Sequence, residues 1–178
     1  TSSASTAFAL TIDTTAPSTP SITTTTDLTN NPTPTIEGTA EAESTVTLLN
    51  GAISLGTATA GSDGSFSIIS SQLPDNSYTL TVTATDALGN ESAPSDELAI
   101  TIDTTAPSTP SITTTTELTN NPTPTIEGTA EAGSTVTLLN GGTTVGVITA
   151  TDGTFTFTEI LPEGDNVLTV TATDAAGN

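Results

Sequence analysis

Apolar side chains alternate with threonine, serine and acidic side chains along most of this chain. The clearest stretch is residues 78–84 (YTLTVTA), in which every second residue is threonine and the residues between are apolar or aromatic. A period of two is typical of a β-strand with one face buried and the other in water. The same alternation predicts strands around residue 22 and over residues 36–40, 45–49, 55–60, 65–69 and 98–102. No segment has the 3.6-residue period and capping residues of a helix.

Turn-forming residues separate these stretches. Asn50-Gly51 and Asn140-Gly141 are typical of hairpin turns, and the sequences SDG, LPDN and ALGN mark further turns. About seven short strands within about 90 residues are typical of an immunoglobulin-like β-sandwich. The sequence therefore predicts an all-β protein of tandem immunoglobulin-like β-sandwich domains, with about seven strands in each.

The unit occurs twice. Residues 12–50 recur as residues 102–140 with two substitutions, Asp27 to Glu117 and Glu43 to Gly133. Further along, the second copy is shorter, and one residue is missing just before Asp152. Such identity indicates a recent duplication of a domain-sized unit. We therefore expect one repeat at residues 13–102 and a second at residues 103–178.

The start of the chain resembles the end of the first repeat. Residues 1–13 (TSSASTAFALTID) match residues 91–103 (ESAPSDELAITID) in length, in alternation and in the final TID. This match predicts that residues 1–12 are the last strand of a preceding repeat and that the second repeat lacks its own last strand. We expect the chain to be one stretch of a longer tandem array, and residues 7–12 to pair with a chain other than their own domains.

Composition narrows the possible chemistry. The 178 residues include 20 acidic ones and no Lys, Arg, His, Cys, Met or Trp, so the formal charge is −20. Imidazole, thiolate and amine catalysis are excluded, and so are zinc sites built from cysteine or histidine. With no positive side chain, nucleic acid and anionic membranes are not expected partners, and no apolar run is long enough for membrane insertion. We expect a protein that is not an enzyme and whose natural partners are cations.

A seven-strand sandwich brings the start of its first strand and three of its loops to one end. In the two repeats these places carry oxygen-bearing side chains at matching positions: Asp13, Glu41, Asp63, Asp86 and Asn90, and then Asp103, Glu131, Asp152, Asp174 and Asn178. Ca²⁺ takes about six to eight hard oxygen ligands, so these ten residues are candidate metal ligands. The alternative is that aspartate and asparagine serve only their turns. That interpretation is preferred for Asp27, Asn30, Asn31 and Asp75, which lie at the opposite end of the first repeat. Because the chain leaves the first repeat at this end, we expect their loops to lie close to the second repeat's candidate ligands.

The order of short motifs resembles a known family. GTAEAES, TVTLLNG, SDGSFS, LPDNSYTLTVTATDALGN and ITIDTTAP follow one another, and close variants follow again in the second repeat. This order resembles the bacterial Ig-like tandem repeats of giant calcium-binding surface adhesins, of the biofilm-associated and RTX types exported by type I secretion. The resemblance implies an extracellular extender at the bacterial cell surface, with calcium at the junctions and identical repeats as neighbours.

Two other functions fit the sequence. In the first, the chain is the subunit of an extracellular filament, assembled head to tail by donor-strand complementation through residues 1–12. In the second, it is a carbohydrate-binding or glycosidase module, since paired carboxylates could serve such chemistry. The chain has only five aromatic residues to stack on sugars, which weakens the second alternative.

Overall fold

The computed structural model describes residues 3, 5–115 and 118–178. Predictions that involve Thr1, Ser2, Ala4, Thr116 or Glu117 lie outside the described residues. The described residues form fourteen β-strands and no helix, which confirms the all-β prediction. The strands are β1 Ser21–Ile22, β2 Leu28–Thr29, β3 Thr35–Thr39, β4 Thr45–Asn50, β5 Ile53–Thr59, β6 Ser65–Ile69, β7 Asn76–Thr85, β8 Leu98–Ile102, β9 Ser111–Ile112, β10 Ile126–Thr129, β11 Thr135–Asn140, β12 Thr143–Thr149, β13 Thr154–Phe157 and β14 Leu168–Thr173.

The chain divides into two compact units. The first unit contains the residues up to 27 together with residues 33–73 and 77–100. The second unit contains residues 101–178 and takes in two short segments from earlier in the chain, residues 28–32 and 74–76. Each unit is therefore built mainly, but not entirely, from one sequence repeat.

One sheet of the first unit has the strand order β1-β3-β6. Its strands β8, β7, β4 and β5 lie in a sheet of the order β2-β8-β7-β4-β5, of which β2 belongs to the second unit. The predicted alternation is present: in β3 and β6 the residues are alternately exposed and buried. The buried side chains of Ile36, Leu48 and Ile68 are 2% exposed or less, so they form a closed apolar core. Threonine and serine occupy most of the outward positions, where β-branched and small polar side chains suit a wet strand surface.

The second unit repeats this design with sheets β13-β10-β9 and β12-β11-β14. Its buried core comprises Ile126, Val136, Leu138, Ala150, Phe155 and Phe157. The rings of Phe155 and Phe157 lie 5.6 Å apart at 57°, a tilted arrangement that aromatic pairs prefer. In this sheet β14 has β11 on one side and lies at the edge on the other.

The strand β2 was not expected from the sequence. Leu28 and Thr29 pair in parallel with residues 101 and 102, and Asp103 N–H donates a 3.0 Å hydrogen bond to the Thr29 carbonyl. All of these residues belong to the second unit. The sequence favours a solvated turn here, because two residues are too few for an alternation to be recognised.

One turn differs between the repeats. In the first unit, the Gly61 N–H donates to the Ser65 carbonyl at 2.8 Å and the turn ends on Gly64 at φ 81°. In the second unit the missing residue shortens this turn to Asp152-Gly153, and both residues have positive φ, 50° and 79°. Two successive left-handed residues of the type Asp-Gly are typical of a two-residue hairpin turn.

The start of the chain has no strand in this structure. The described residues among 3–12 are exposed and unpaired, with exposed fractions of 86% for Phe8, 71% for Leu10 and 79% for Ile12. Pairing of residues 7–12 with another chain, and the assignment of residues 1–12 to a preceding repeat, remain predictions. The same is true of the predicted boundary between residues 102 and 103.

Candidate functional site

Three of the five candidate ligands of the first repeat come together, and we call Asp13, Asp86 and Asn90 the first cluster. The Asp86 Oδ1 atom accepts hydrogen bonds from the backbone N–H groups of Leu88 and Asn90, at 2.8 and 2.9 Å. The Asn90 Nδ2 group donates to Asp86 Oδ2 at 2.7 Å and to the Asp13 carbonyl at 3.3 Å. Asn90 therefore joins the loop after β7 to the segment that precedes β1.

Asp103, Asp174 and Asn178 form the second cluster, in which the asparagine makes the same bonds. The Asp174 Oδ1 atom accepts from the backbone N–H groups of Gly177 and Asn178, at 2.8 and 2.9 Å. The Asn178 Nδ2 group donates to Asp174 Oδ2 at 2.9 Å and to the Asp103 carbonyl at 2.7 Å. The asparagine makes the same three contacts in both units, which indicates that the DALGN and DAAGN sequences encode them locally.

The hydrogen bonds in both clusters favour the ionised carboxylate. The Asn90 side-chain amide, followed by its backbone N–H, lowers the pKa of Asp86 below the usual 3.8. The Asn178 side-chain amide and then its backbone N–H lower the pKa of Asp174 in the same way. Donors that point at a carboxylate stabilise its charged form, so neither cluster needs a positive side chain to remain ionised near neutral pH.

Glu41 and Glu131 make a different contact. The Glu41 Oε2 atom accepts a hydrogen bond from Ser18 N–H at 3.4 Å, and Glu131 Oε2 accepts one from Ser108 N–H at 3.1 Å. Each glutamate thus holds the segment just before β1 or β9. Within the part of the chain that the structure describes, no hydrogen bond connects either glutamate to the two clusters.

Asp63 and Asp152 were expected to be equivalent, and their environments differ. The Asp63 Oδ1 atom accepts from Ser65 N–H at 3.0 Å and from Ser65 Oγ at 2.7 Å. The Ser65 hydroxyl, followed by its backbone N–H, lowers the pKa of Asp63. Asp152 lies in the shortened hairpin turn with φ 50°, and its carboxylate has no hydrogen-bond partner among the described residues. Both residues serve their turns in this structure.

Asp75, interpreted from the sequence as a turn residue near the second repeat's candidate ligands, binds the residues next to Asp103. Its Oδ1 atom accepts from Thr104 N–H at 3.1 Å and from Thr104 Oγ1 at 2.7 Å, and its Oδ2 atom accepts from Thr105 Oγ1 at 2.8 Å. The hydroxyls of Thr104 and Thr105 lower the pKa of Asp75. All three residues belong to the second unit. The DTT sequence at residues 103–105 was the available signal, because adjacent threonine hydroxyls are natural carboxylate partners.

The acidic side chains are spread rather than concentrated. Among residues 3, 5–115 and 118–178, no group of three or more Asp, Glu, His or Cys side chains is placed to hold a metal ion. Each cluster instead contributes two aspartates, an asparagine amide and the carbonyl of Asp13 or Asp103. These are hard oxygen donors of the kind that Ca²⁺ accepts, although both asparagine amides present nitrogen rather than oxygen to the aspartate.

Aromatic side chains form no platform for a sugar. All five lie within the described residues; Phe66, Phe155 and Phe157 are buried, Tyr78 is half-buried, and Phe8 is exposed. The described part of the chain also contains no helix long and apolar enough to cross a membrane.

Comparison with known proteins gives one family. The sequence profile of a bacterial Ig-like domain matches residues 6–104 and again residues 106–178. No curated protein matches the sequence. Among solved structures, the fibronectin(III)-like modules of Clostridium thermocellum CbhA are similar, with a TM-score of 0.57 and 17% identity over 88% of this chain and 86% of that chain. A biofilm-associated protein BSP domain is similar at 25% identity, over 88% of this chain and 27% of that chain, with a TM-score of 0.33.

Proposed function

Since the chain belongs to the bacterial Ig-like domain family, we propose that it is an extender segment of a bacterial surface adhesin. In this role, successive domains separate an adhesive region from the cell and carry no catalytic site. The observation that carries the proposal is the repetition of the same hydrogen-bonded cluster in both units. A catalytic or recognition site needs one loop that departs from the repeat, whereas a spacer gains from uniform units.

We also propose that the protein is extracellular and located at the cell surface. The resemblance to adhesin repeats supports it, and so does the charge of −20 with no basic residue. A uniformly negative surface keeps long arrays soluble and prevents them from adhering to one another or to anionic polymers.

We also propose that calcium binds at the two clusters and stiffens the chain. In each cluster one asparagine amide bridges an aspartate carboxylate and the backbone carbonyl of a second aspartate, and no cation on the protein competes for these oxygens. Calcium would require each asparagine to turn its amide, so that Oδ1 replaces Nδ2 beside the aspartate. In the second unit Asp75, which is hydrogen-bonded to Thr104 next to Asp103, supplies a further nearby carboxylate.

Small-angle scattering and calorimetry on the 178-residue chain test this proposal. With millimolar calcium, typical for extracellular modules, we expect a binding heat, a higher melting temperature and a longer, more rigid particle than in EDTA. A hundredfold excess over Kd would add about 2.7 kcal/mol to the free energy of unfolding. An elongated particle that does not respond to calcium would be consistent with the extender role but would contradict the proposed calcium binding.

A matched pair of variants tests whether calcium binds at the second cluster. Asp103→Asn removes one charge from the second cluster, and Glu37→Gln removes one charge from the exposed face of β3. Calcium binding to the second cluster should be lost in Asp103→Asn and kept in Glu37→Gln. If both variants lose calcium binding equally, binding depends only on the net charge of the chain, and the proposed site is wrong.

A further inference from the structure

Each unit contains one Asn-Gly pair, at the hairpin that joins β4 to β5 or β11 to β12. Residues 45–51 and residues 135–141 have the same sequence, TVTLLNG. In both hairpins the asparagine is the last residue of its strand, and the glycine is the first residue of a two-residue turn. Both asparagines are half-buried, so exposure does not distinguish them. A difference in their chemistry has to come from the turn or from contacts across the sheet.

An Asn-Gly pair can lose ammonia without an enzyme. The backbone nitrogen of the glycine attacks the side-chain carbonyl carbon of the asparagine and forms a C–N bond, while the bond from that carbon to the side-chain nitrogen breaks. The side-chain nitrogen takes up the proton that the backbone nitrogen loses, and it leaves as ammonia. Water then opens the cyclic imide to aspartate or isoaspartate. Glycine favours the attack because it has no Cβ to hinder the approach.

In the second unit, hydrogen bonds hold both reacting groups. Gly141 N–H, which carries the attacking nitrogen, donates to the Val167 carbonyl at 3.0 Å. The Asn140 Nδ2 group, which would leave as ammonia, donates to Asn166 Oδ1 at 2.6 Å. Ring closure at Asn140 therefore has to break two hydrogen bonds before the reacting atoms can meet.

The partner of Asn140 is itself fixed in orientation. The Asn166 Nδ2 group donates to the carbonyls of Pro162 and Gly164, both at 3.0 Å. Because the nitrogen of this amide faces two carbonyl oxygens, its Oδ1 atom has to face Asn140. The loop before β14 thus keeps an acceptor in place for the Asn140 side chain.

In the first unit, neither of these hydrogen bonds is made. Among the residues that the structure describes, Gly51 N–H and the Asn50 side-chain amide have no hydrogen-bond partner. The sequence explains the difference at the side chain, because Tyr78 stands where the second repeat has Asn166 and offers no amide oxygen. The attacking nitrogen and the leaving amide of Asn50-Gly51 are therefore both free to move.

The turns themselves also differ. The first turn has a positive φ at Gly51 but not at Ala52, whereas the second has positive φ at both Gly141 and Gly142. These φ values are typical of type II′ and type I′ turns, respectively. The first turn is open to water: a Cβ atom at Gly51 would meet nothing within 4 Å, and Ile53 just after it is 65% exposed.

We propose that Asn50 is a site of spontaneous deamidation and that Asn140, in the same local sequence, is protected from it. The product at residue 50 carries a carboxylate, and in the isoaspartate form the main chain is longer by one methylene carbon. Asn50 pairs with Ile53 and with Leu80 at the end of β4, so the extra carbon disrupts the last pairs of this hairpin. The modification is separate from the extender role and does not depend on it.

Peptide mapping by mass spectrometry tests the proposal on the folded 178-residue chain. The chain is incubated at neutral and mildly alkaline pH and then cut with a glutamate-specific protease, since it has no Lys or Arg for trypsin. Conversion at Asn50 should be at least about tenfold faster than at Asn140, because only Asn140 has two hydrogen bonds to break. The rate should rise with pH, since the attacking nitrogen has to lose its proton. Equal rates, or a faster reaction at Asn140, would overturn the proposal.

Unfolding the chain separates structure from sequence. In concentrated urea both hairpins are lost, and the two asparagines should react at similar rates because their neighbours in sequence are the same. If Asn140 remained slow in urea, its protection would come from the local sequence and the proposal would be wrong.

A matched pair of variants tests the protecting contact. Asn166→Tyr gives the second unit the residue of the first and should bring the rate at Asn140 towards that at Asn50. Thr169→Ala, at an exposed position of β14, should leave Asn140 slow. If Asn140 stays slow in an Asn166→Tyr chain that circular dichroism shows to be folded, Asn166 does not protect it and the proposal fails. The comparison within the parent chain decides the matter even if this variant does not fold.

Discussion

The Asn90 side-chain amide donates to the Asp86 carboxylate at 2.7 Å while the backbone N–H of the same asparagine donates to the other carboxylate oxygen at 2.9 Å. One residue thus occupies both oxygens of its partner, and the loop between them is closed without help from another chain or ion. A cation that binds this carboxylate has to share its two oxygens with these donors. The hydrogen bonds and the metal therefore compete for the same atoms.

Asn90→Asp tests whether the first cluster closes its loop by hydrogen bonds alone or also binds calcium. The substitution removes the amide donor and places a second carboxylate beside Asp86, so the melting temperature in EDTA should fall by several degrees. Calcium binding would reverse the repulsion, and millimolar calcium should then restore most of the loss. Leu88→Ala, in the same loop and exposed, is the control for loop perturbation. A loss that calcium does not repair would mean that the cluster works through hydrogen bonds alone.

Acid should weaken the fold below the ordinary aspartate pKa. Hydrogen bonds from Asn90, Asn178 and Thr104 lower the pKa values of Asp86, Asp174 and Asp75 in the folded chain. A lowered folded-state pKa stabilises the fold above 3.8, and this contribution disappears as pH falls through the lower folded value.

Thermal unfolding as a function of pH measures this effect. The melting temperature should change little between pH 7 and pH 5 on account of these groups, and should fall below pH 3.8. Asp86→Asn should reduce the fall of the melting temperature at acid pH. Asp96 is an exposed acid outside both clusters, so Asp96→Asn should leave that fall unchanged. If both variants changed this fall equally, the loss of stability in acid would depend on overall charge and not on the clusters.

The substitution between the repeats at residues 43 and 133 should affect stability in a predictable direction. Glu43 has φ 64° and its counterpart Gly133 has φ 85°, so both lie in the left-handed region that suits glycine. Gly133→Glu should lower the free energy of unfolding by about 1 kcal/mol, since strain in that region exceeds the entropy that glycine loses on folding. Glu43→Gly should have the opposite sign. Urea titration measures the free energy of unfolding of both variants. Changes of the same sign in the two variants would contradict the explanation.

Gly38 lies where no side chain fits. A Cβ atom at this position would overlap the Ser21 carbonyl oxygen and the Phe66 ring, and Gly128 faces Ser111 and Phe155 in the same way. Gly38→Ala should therefore cost about 1 to 3 kcal/mol through displacement of β1 and the ring. Thr35→Ala, at an exposed position of the same strand, should cost less than about 1 kcal/mol. Chemical denaturation measures both.

The strands and the fold class could be predicted because they depend on a local period. Residues 78–84 alternate strictly, and the structure extends that strand to Asn76–Thr85. The strand β2 could not be predicted in this way, because Leu28 pairs with Thr101, a residue more than seventy positions away. Sequence alternation carries no information about a pairing of that range.

The candidate ligands could be predicted only in part. The Asp and Asn of the DALGN and DAAGN loops form the same cluster twice because the turn itself sets their hydrogen bonds. Asp63 and Asp152 occupy matching sequence positions and still differ, because one missing residue changes the backbone conformation of the turn. The sequence predicts that Asp75 lies near the start of the second repeat, but not its threonine partners, because these lie 29 and 30 residues further along the chain.

The connection between β5 and β6 is one residue longer than the connection between β12 and β13, and yet the strands on either side keep their register. Gly38 pairs with Phe66 in one unit and Gly128 pairs with Phe155 in the other. The sheet, and not the turn, determines how these strands align. This turn is consequently a position where foreign sequence can be introduced: an epitope or a fluorophore-labelling tag inserted between Ser62 and Asp63 would mark individual domains of an array while leaving the sandwich intact.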